Sequence, residues 1–305
     1  MTPITETSAP PPASDAARPP DWQDDIVRYF EVAGPDYAAW SPSFNMHFGY
    51  YERGQNPFRR EPMLERMNRL VLEALQLPED RAAAIGDFGC GLGATARSVA
   101  VRLPRAAVTG FTIVPWQVHN GNRMSAEAAL DRQVRLVQAD FTRTPLTSGS
   151  LDAAYALESG CYATGSDKAD LLAEMARAVK PGGRVVIVDG FRKDSRPLWQ
   201  PLAWIYRTAC RSWALREMAD IEAFTATLAT QGFADIERRE LSWRVAPSFA
   251  HVPFLIVKFA VQRLLAGDLG WKLERWHNLM GPFFGALLGL ARRRFGYYVV
   301  TGTRR

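Results

Sequence analysis

"AAIGDFGCGLGATA", residues 83–96, is the stretch on which the reading of this chain turns. A short apolar run ends at Phe88, glycines follow at Gly89, Gly91 and Gly93, and an alanine-rich, helix-like segment begins. A strand, a tight glycine turn and a helix N-terminus make a place where a small ligand can meet backbone N–H groups. Glycine serves there because it adopts positive φ without strain and puts no Cβ in the ligand's path. The glycines do not choose the ligand. Gly89, Gly91 and Ala94 satisfy the dinucleotide pattern G-x-G-x-x-A, and Gly89, Gly91 and Gly93 equally satisfy G-x-G-x-G.

Downstream of this turn the chain alternates. A helix-like segment (94–103) leads to strand-like "AAVTGFT" (106–112), another (115–130) to "VRLVQA" (134–139), a loop to "LDAAYALE" (151–158), and a third (167–180) to "RVVIVDGF" (184–191). A turn, "PGG" at 181–183, is expected to lead into the last of these strands. Short apolar strands divided by amphipathic helices predict an α/β, doubly wound, mostly parallel sheet covered on both faces.

Upstream, "DWQDDIVRYFEVA" (21–33) has helical spacing of Trp22, Ile26, Tyr29 and Phe30. An irregular aromatic stretch follows at 35–54, and then a helix whose apolar stripe is Leu64, Met67, Val71 and Leu75. Residues 1–20 are rich in proline and small polar residues and read as a disordered tail, without the apolar centre of a signal peptide. Beyond Phe191, helices are expected at about 198–214 and 218–231, a strand near 234–243, and a closing strand "FGYYVVTGT" (295–303). Two apolar segments lie between, "PFLIVKFAVQRLLAG" (253–267) and "GPFFGALLGLARRRFG" (281–296). Lys258, Arg263 and Arg292–Arg294 interrupt them, short of the roughly 18–20 apolar residues of a membrane span. They suit the enclosure of a lipophilic chain or peripheral contact with a membrane surface.

The chain has 305 residues, of which 47% are hydrophobic and 23% charged, enough apolar material for a sizeable core. A net charge of +5 is modest, and no basic stripe with interleaved aromatics marks a nucleic-acid surface. Cys90, Cys161 and Cys210 have no paired spacing, so neither a zinc site nor a disulfide framework is expected, and a reducing cytoplasm is the expected setting. No cluster of acids and histidines has metal-ligand spacing, and no metal is expected.

Asp87, two residues ahead of the first glycine, separates the two kinds of ligand. A carboxylate there repels a pyrophosphate and suits an ammonium group. The second strand points the same way: a dinucleotide site has an acid about 20 residues on for the ribose, and here the nearest polar groups are Thr112 and Gln117. Asp140, with Phe141 beside it in "QADF" (138–141), can accept from an exocyclic amine. An ammonium partner early and an amine acceptor late describe S-adenosylmethionine (SAM). An NAD(P)-dependent oxidoreductase is the alternative that the glycines permit, and a cofactor-binding protein without catalysis is a third.

On "DFGCGLG", "QADF" and "VKPGGRVVIVD", in this order and spacing, the chain resembles the class I SAM-dependent methyltransferases over roughly residues 60–191. "GFTIVPWQV", "YALESGCYA" and the lead-in "MHFGYY" (46–51) are similar to the branch that acts on sterols, tocopherols and fatty acids. Two departures stand out: the usual ribose-binding acid is missing, and Tyr162 stands where many relatives carry histidine. The resemblance implies a seven-stranded, Rossmann-like sheet. It divides the chain into an N-terminal helical lid (21–58), a SAM-binding core (59–192), a helical substrate-binding insertion (193–293) and a final strand (294–305).

Cofactor contacts are expected from Asp87, Gly89, Cys90, Gly91, Gly93, Thr112, Gln117, Asp140, Phe141 and Glu158. Asp87 or Asp140 can equally serve the backbone turn it stands in. Glu158 closes the fourth strand, where open parallel sheets place ligands. It can shape the cofactor pocket, steady a cation or take a proton. Tyr162 can donate to the substrate, and His47 can act as a base carried by the lid or be an ordinary core histidine. Methyl transfer to a lipophilic small molecule, terpenoid or sterol-like or an aromatic natural product, is the expected activity, slightly favoured on carbon because the familiar histidine near residue 162 is absent, with O-methylation of a natural product as the alternative.

Overall fold

The computed structural model describes residues 21–265, 267 and 273–305, so the tail expected at 1–20 lies outside the described residues. In chain order the elements are α1 (Asp21–Ala33), α2 (Arg60–Leu75), β1 (Ala83–Phe88), α3 (Ala94–Arg102), β2 (Ala106–Thr112), α4 (Pro115–Glu127), β3 (Val134–Gln138), β4 (Leu151–Leu157) and α5 (Ala169–Ala178). They continue as β5 (Val179–Arg192), α6 (Leu202–Ser212), β6 (Ala219–Asp220), α7 (Ile221–Thr230), β7 (Phe233–Glu240), α8 (Ser242–Phe249), α9 (Val252–Leu265), α10 (Leu273–Leu290) and β8 (Phe295–Arg304).

The strands form one sheet in the order β3-β2-β1-β4-β5-β8-β7. Pairing is parallel from β3 to β5, while β8 runs antiparallel to both β5 and β7. Seven strands were expected; an eighth, the two-residue β6, pairs with the end of β5. It ends at Asp220, whose side chain caps α7 by accepting from the N–H groups of Glu222 and Ala223.

Strand periodicity divides the core between the two faces. Val186 and Val188 of β5 join Ile85, Val108 and the α2 stripe Met67, Val71 and Leu75. Their neighbours Val185 and Ile187 join Leu172 and Met175 of α5 and Phe224 and Leu228 of α7 on the other face. A smaller cluster of Leu202, Ala209, Phe284, Leu288 and Phe295 ties α6 to α10.

Three local expectations are corrected. "PGG" is not a turn before the strand: β5 already starts at Val179 and carries Gly182 at φ +78, beside a register shift opposite Leu151 and Ala153. The strand near 234–243 ends at Glu240 and the chain coils at once into α8, which the strand-like reading had missed. The stretch 193–293 also contributes strands: β6 and β7 join the central sheet, and the two-residue β6 was not expected.

Candidate active site

Strand order reverses at β1, which has β2 on one side and β4 on the other. A crevice opens at such a switch point, at the C-terminal ends of the strands. Here it widens into a cavity of about 1330 Å³, walled by the ends of β1, β2, β4 and β5, by α1 and the segment after it, and by α8, α9 and α10.

The glycine turn forms one wall. The N–H groups of Gly89 and Cys90 donate to Phe111 O at 2.9 and 3.0 Å and bind the turn to β2. Gly89 has φ +90, and a Cβ there would lie 2.3 Å from that of Ser159, so only glycine fits. Gly91 lines the cavity, but Gly93 does not: it caps α3, packed against Leu136 and Arg97. Cys90 is buried among apolar atoms, which pushes its thiol well above the ordinary range and makes it unreactive.

Asp87 is 2% exposed and lines the cavity. Its Oδ2 accepts from the Tyr155 hydroxyl at 2.8 Å, and burial raises its carboxyl to about 7. Thr112 donates to Gln117 Oε1 at 2.6 Å, fixing both at the end of β2. Asp140 has two tasks: Oδ1 accepts from the N–H and hydroxyl of Thr142, and Oδ2 accepts from Gln23 Nε2 of α1 at 2.8 Å. The turn-capping reading of Asp140 is therefore realised, while its side chain also lines the cavity beside Phe141.

Glu158 follows β4 at the cavity wall in a left-handed conformation, φ +49, unusual for a residue with a Cβ. Its Oε1 accepts from the Phe48 N–H at 2.7 Å and from the Tyr297 hydroxyl at 2.5 Å. Burial nevertheless raises its carboxyl to about 8. Asp189, at the end of β5, is raised to about 6 by burial; it accepts from the N–H groups of Cys161 and Gly190. Tyr162 lines the cavity with its ring 5.7 Å from that of Phe30. Burial also raises the phenols of Tyr37 (to about 12), Tyr162 and Tyr297, so all stay protonated.

His47 borders the cavity, with its ring nitrogens turned to protein groups. Its Nδ1–H donates to Phe48 O at 3.0 Å, and Nε2 lies 3.0 Å from Asn68 Oδ1 and 3.2 Å from Asn45 Oδ1. Both ring nitrogens are engaged within the protein, and burial lowers its pKa. Phe48, whose carbonyl takes the Nδ1–H, donates its own N–H to Glu158. The N-terminal aromatics divide: Phe30, Tyr37, Trp40, Phe44 and Phe48 line the cavity, whereas Tyr29 is packed in the core and Tyr50 lies between Arg66 and Arg244.

A family model described as a methyltransferase domain matches residues 85–183. A SAM-dependent Diels-Alderase of Talaromyces variabilis is 30% identical over 256 residues, covering 77% of this chain and 85% of its own. The chain belongs to the class I SAM-dependent methyltransferases. A probable chloroplastic tocopherol O-methyltransferase of Oryza sativa subsp. japonica is 26% identical to the methyltransferase, over 86% of this chain and 74% of its own. The solved geranyl diphosphate C-methyltransferase of Streptomyces coelicolor shares the fold, with a TM-score of 0.69 at 18% identity over 95% of this chain and 100% of that one.

The cofactor of the methyltransferase is S-adenosylmethionine, and the residues at hand fit it. A carboxylate kept near 7 by burial, with one phenol for company, is a site that a cation completes. Among the described residues no group of three or more His, Cys, Asp or Glu side chains gathers as a metal site. Asp189, Tyr155 and Tyr297 were missed by the sequence reading. Asp189 closes a quoted motif, "VVIVD", and could have been found as the acid ending a strand; Tyr297 had no signal, since it reaches Glu158 across 139 residues.

Proposed function

We propose that the methyltransferase transfers a methyl group to a carbon of a neutral, lipophilic acceptor of the terpenoid or sterol kind. The observation that carries this is Glu158, a buried carboxyl held by Tyr297 and Phe48 N–H among the aromatic rings of the lid and the late helices. Bound SAM supplies an electrophilic methyl carbon. Asp87 holds its ammonium group, Thr112 and Gln117 border its ribose, and Asp140 with Phe141 borders its adenine. The lid excludes water and aligns the acceptor.

Methylation of an alkene carbon leaves a carbocation on the acceptor. The faces of Phe30, Phe48 and Tyr162 attract it, each by about 1–2 kcal/mol when desolvated. Ionised Glu158 attracts it more strongly and then takes the proton whose loss restores the double bond. A carboxyl raised to about 8 is suited to that exchange at neutral pH. The reacting half meets the acceptor with Glu158 and Asp189, and Arg292 in that wall is held by Glu240 at 2.9 Å. Such a pattern disfavours a diphosphate and favours an uncharged acceptor.

Incubation with labelled SAM and neutral lipid extract, followed by mass spectrometry and NMR, tests the reading. A product one methylene heavier with the new methyl on carbon is expected. Glu158→Gln should lower kcat at least a hundredfold while the Kd for S-adenosylhomocysteine changes less than threefold, as expected for a lost general base (roughly 10²–10⁴-fold). A methoxyl product, or full turnover by the variant, contradicts it.

A further inference from the structure

The helix α9 is apolar on two opposed sides. Val252, Leu255 and Ile256 line the cavity, while Phe254, Val257, Val261, Leu264 and Leu265 recur at helical spacing on the outside. The outward stripe is exposed, Phe254 at 68% and Leu265 at 82%. On a helix bathed only by water that side would be polar. A mouth of the cavity adjoins it: Trp243, Ala246, Ala250, Pro253 and Leu290 both line the cavity and reach the surface. Trp243 is 74% exposed and Leu290 79%.

The sequence of this region is basic. From Leu241 to Gly267 the sequence contains no Asp or Glu but has Arg244, Lys258 and Arg263. From Met280 to Arg305 there is again no acid; of the three arginines after α10, Arg292 is paired with Glu240 and Arg294 with Asp194, while Arg293 is exposed. A second copy of this chain would bring like charge against like. An anionic bilayer offers opposite charge and an apolar interior together. No helix among the described residues is long and apolar enough to cross a membrane, so contact is from one side.

We propose that the outer face of α9, with the mouth beside Trp243 and Leu290, docks on an anionic lipid surface, from which the acceptor enters the cavity. The entry route rests on the lipophilic acceptor proposed above; the docking does not. The test is co-sedimentation of the full chain with vesicles of phosphatidylcholine and phosphatidylglycerol in equal parts, and with phosphatidylcholine alone. The wild type should pellet with the anionic vesicles. Phe254→Glu combined with Leu264→Glu should reduce binding tenfold or more while S-adenosylhomocysteine affinity, the check on folding, stays unchanged. Since neither residue lines the cavity, methyl transfer to a detergent-dissolved acceptor should persist in this variant, which separates docking from the assigned activity. Failure to pellet, undiminished binding by the variant, or a dimer in light scattering that the same substitutions dissociate would overturn the proposal.

Discussion

Asp87→Asn tests the electrostatic logic of the cofactor site most directly. Burial holds the carboxyl at about 7, and the Tyr155 hydroxyl offsets that burial in part. An ammonium group binds the ionised form, so cofactor affinity should follow the ionised fraction. That fraction is about one in eleven at pH 6 and about one half at pH 7, which gives about a fivefold gain in affinity between them. Once the ligand's own α-amino group loses its proton at higher pH, affinity should level and fall. Titration calorimetry of S-adenosylhomocysteine in two buffers of different ionisation heat should show about 0.9 proton released at pH 6 and about 0.5 at pH 7. The asparagine keeps the acceptor for Tyr155 but not the charge. It should cost about 1.5–3 kcal/mol, tenfold to a hundredfold in Kd, and abolish the rise between pH 6 and 7. The same shift has a stability consequence. A carboxyl whose folded pKa is raised contributes stability that is fully present below its unfolded value and lost as pH rises through about 7. The loss is on the order of 4 kcal/mol, so the ligand-free Tm should fall over this range and the cofactor should restore more at pH 7 than at pH 5. Wild-type affinity in the asparagine variant, or an unchanged pH limb, refutes the reasoning.

Three further outcomes are expected. Tyr297→Phe removes a donor to Glu158 and pushes its carboxyl further above about 8; the acid limb of kcat should move up by about one to two pH units, as for a lost charge-assisted hydrogen bond, and an unmoved profile excludes Glu158 as the base. His47→Leu leaves Asn45, Asn68 and Phe48 O short of a partner, so Tm should drop by the equivalent of about 1–3 kcal/mol while kcat changes less than tenfold; a far larger loss of kcat with intact stability would make His47 the base. Gln23→Ala releases α1 from Asp140, and stopped-flow measurements should show cofactor leaving about twofold to tenfold faster, the equivalent of one hydrogen bond; an unchanged off-rate removes α1 as a latch.

Local pattern carried much of the site. Gly89, Gly91 and Asp87 stand within five residues on one strand and its turn, and Thr112, Gln117, Asp140, Glu158 and Tyr162 each follow the C-terminal end of a parallel strand. Strand alternation and the switch at β1 bring all of those ends to one rim. Gly93 shows where pattern misleads, since its left-handed conformation serves the helix start and not the cavity.

Sequence by itself determined the doubly wound sheet, the family and the cofactor, because apolar periodicity and a charged residue beside a glycine turn act over a few neighbouring residues. Tertiary structure decided what surrounds the reacting atoms. Phe48 N–H reaches Glu158 across 110 residues, Tyr297 across 139, and α8–α10, which lie between β7 and β8 in the chain, wall the cavity. Burial sets the carboxyls of Asp87, Glu158 and Asp189 at about 7, 8 and 6. That burial comes from atoms distant in sequence, and no local pattern encodes how much water they displace.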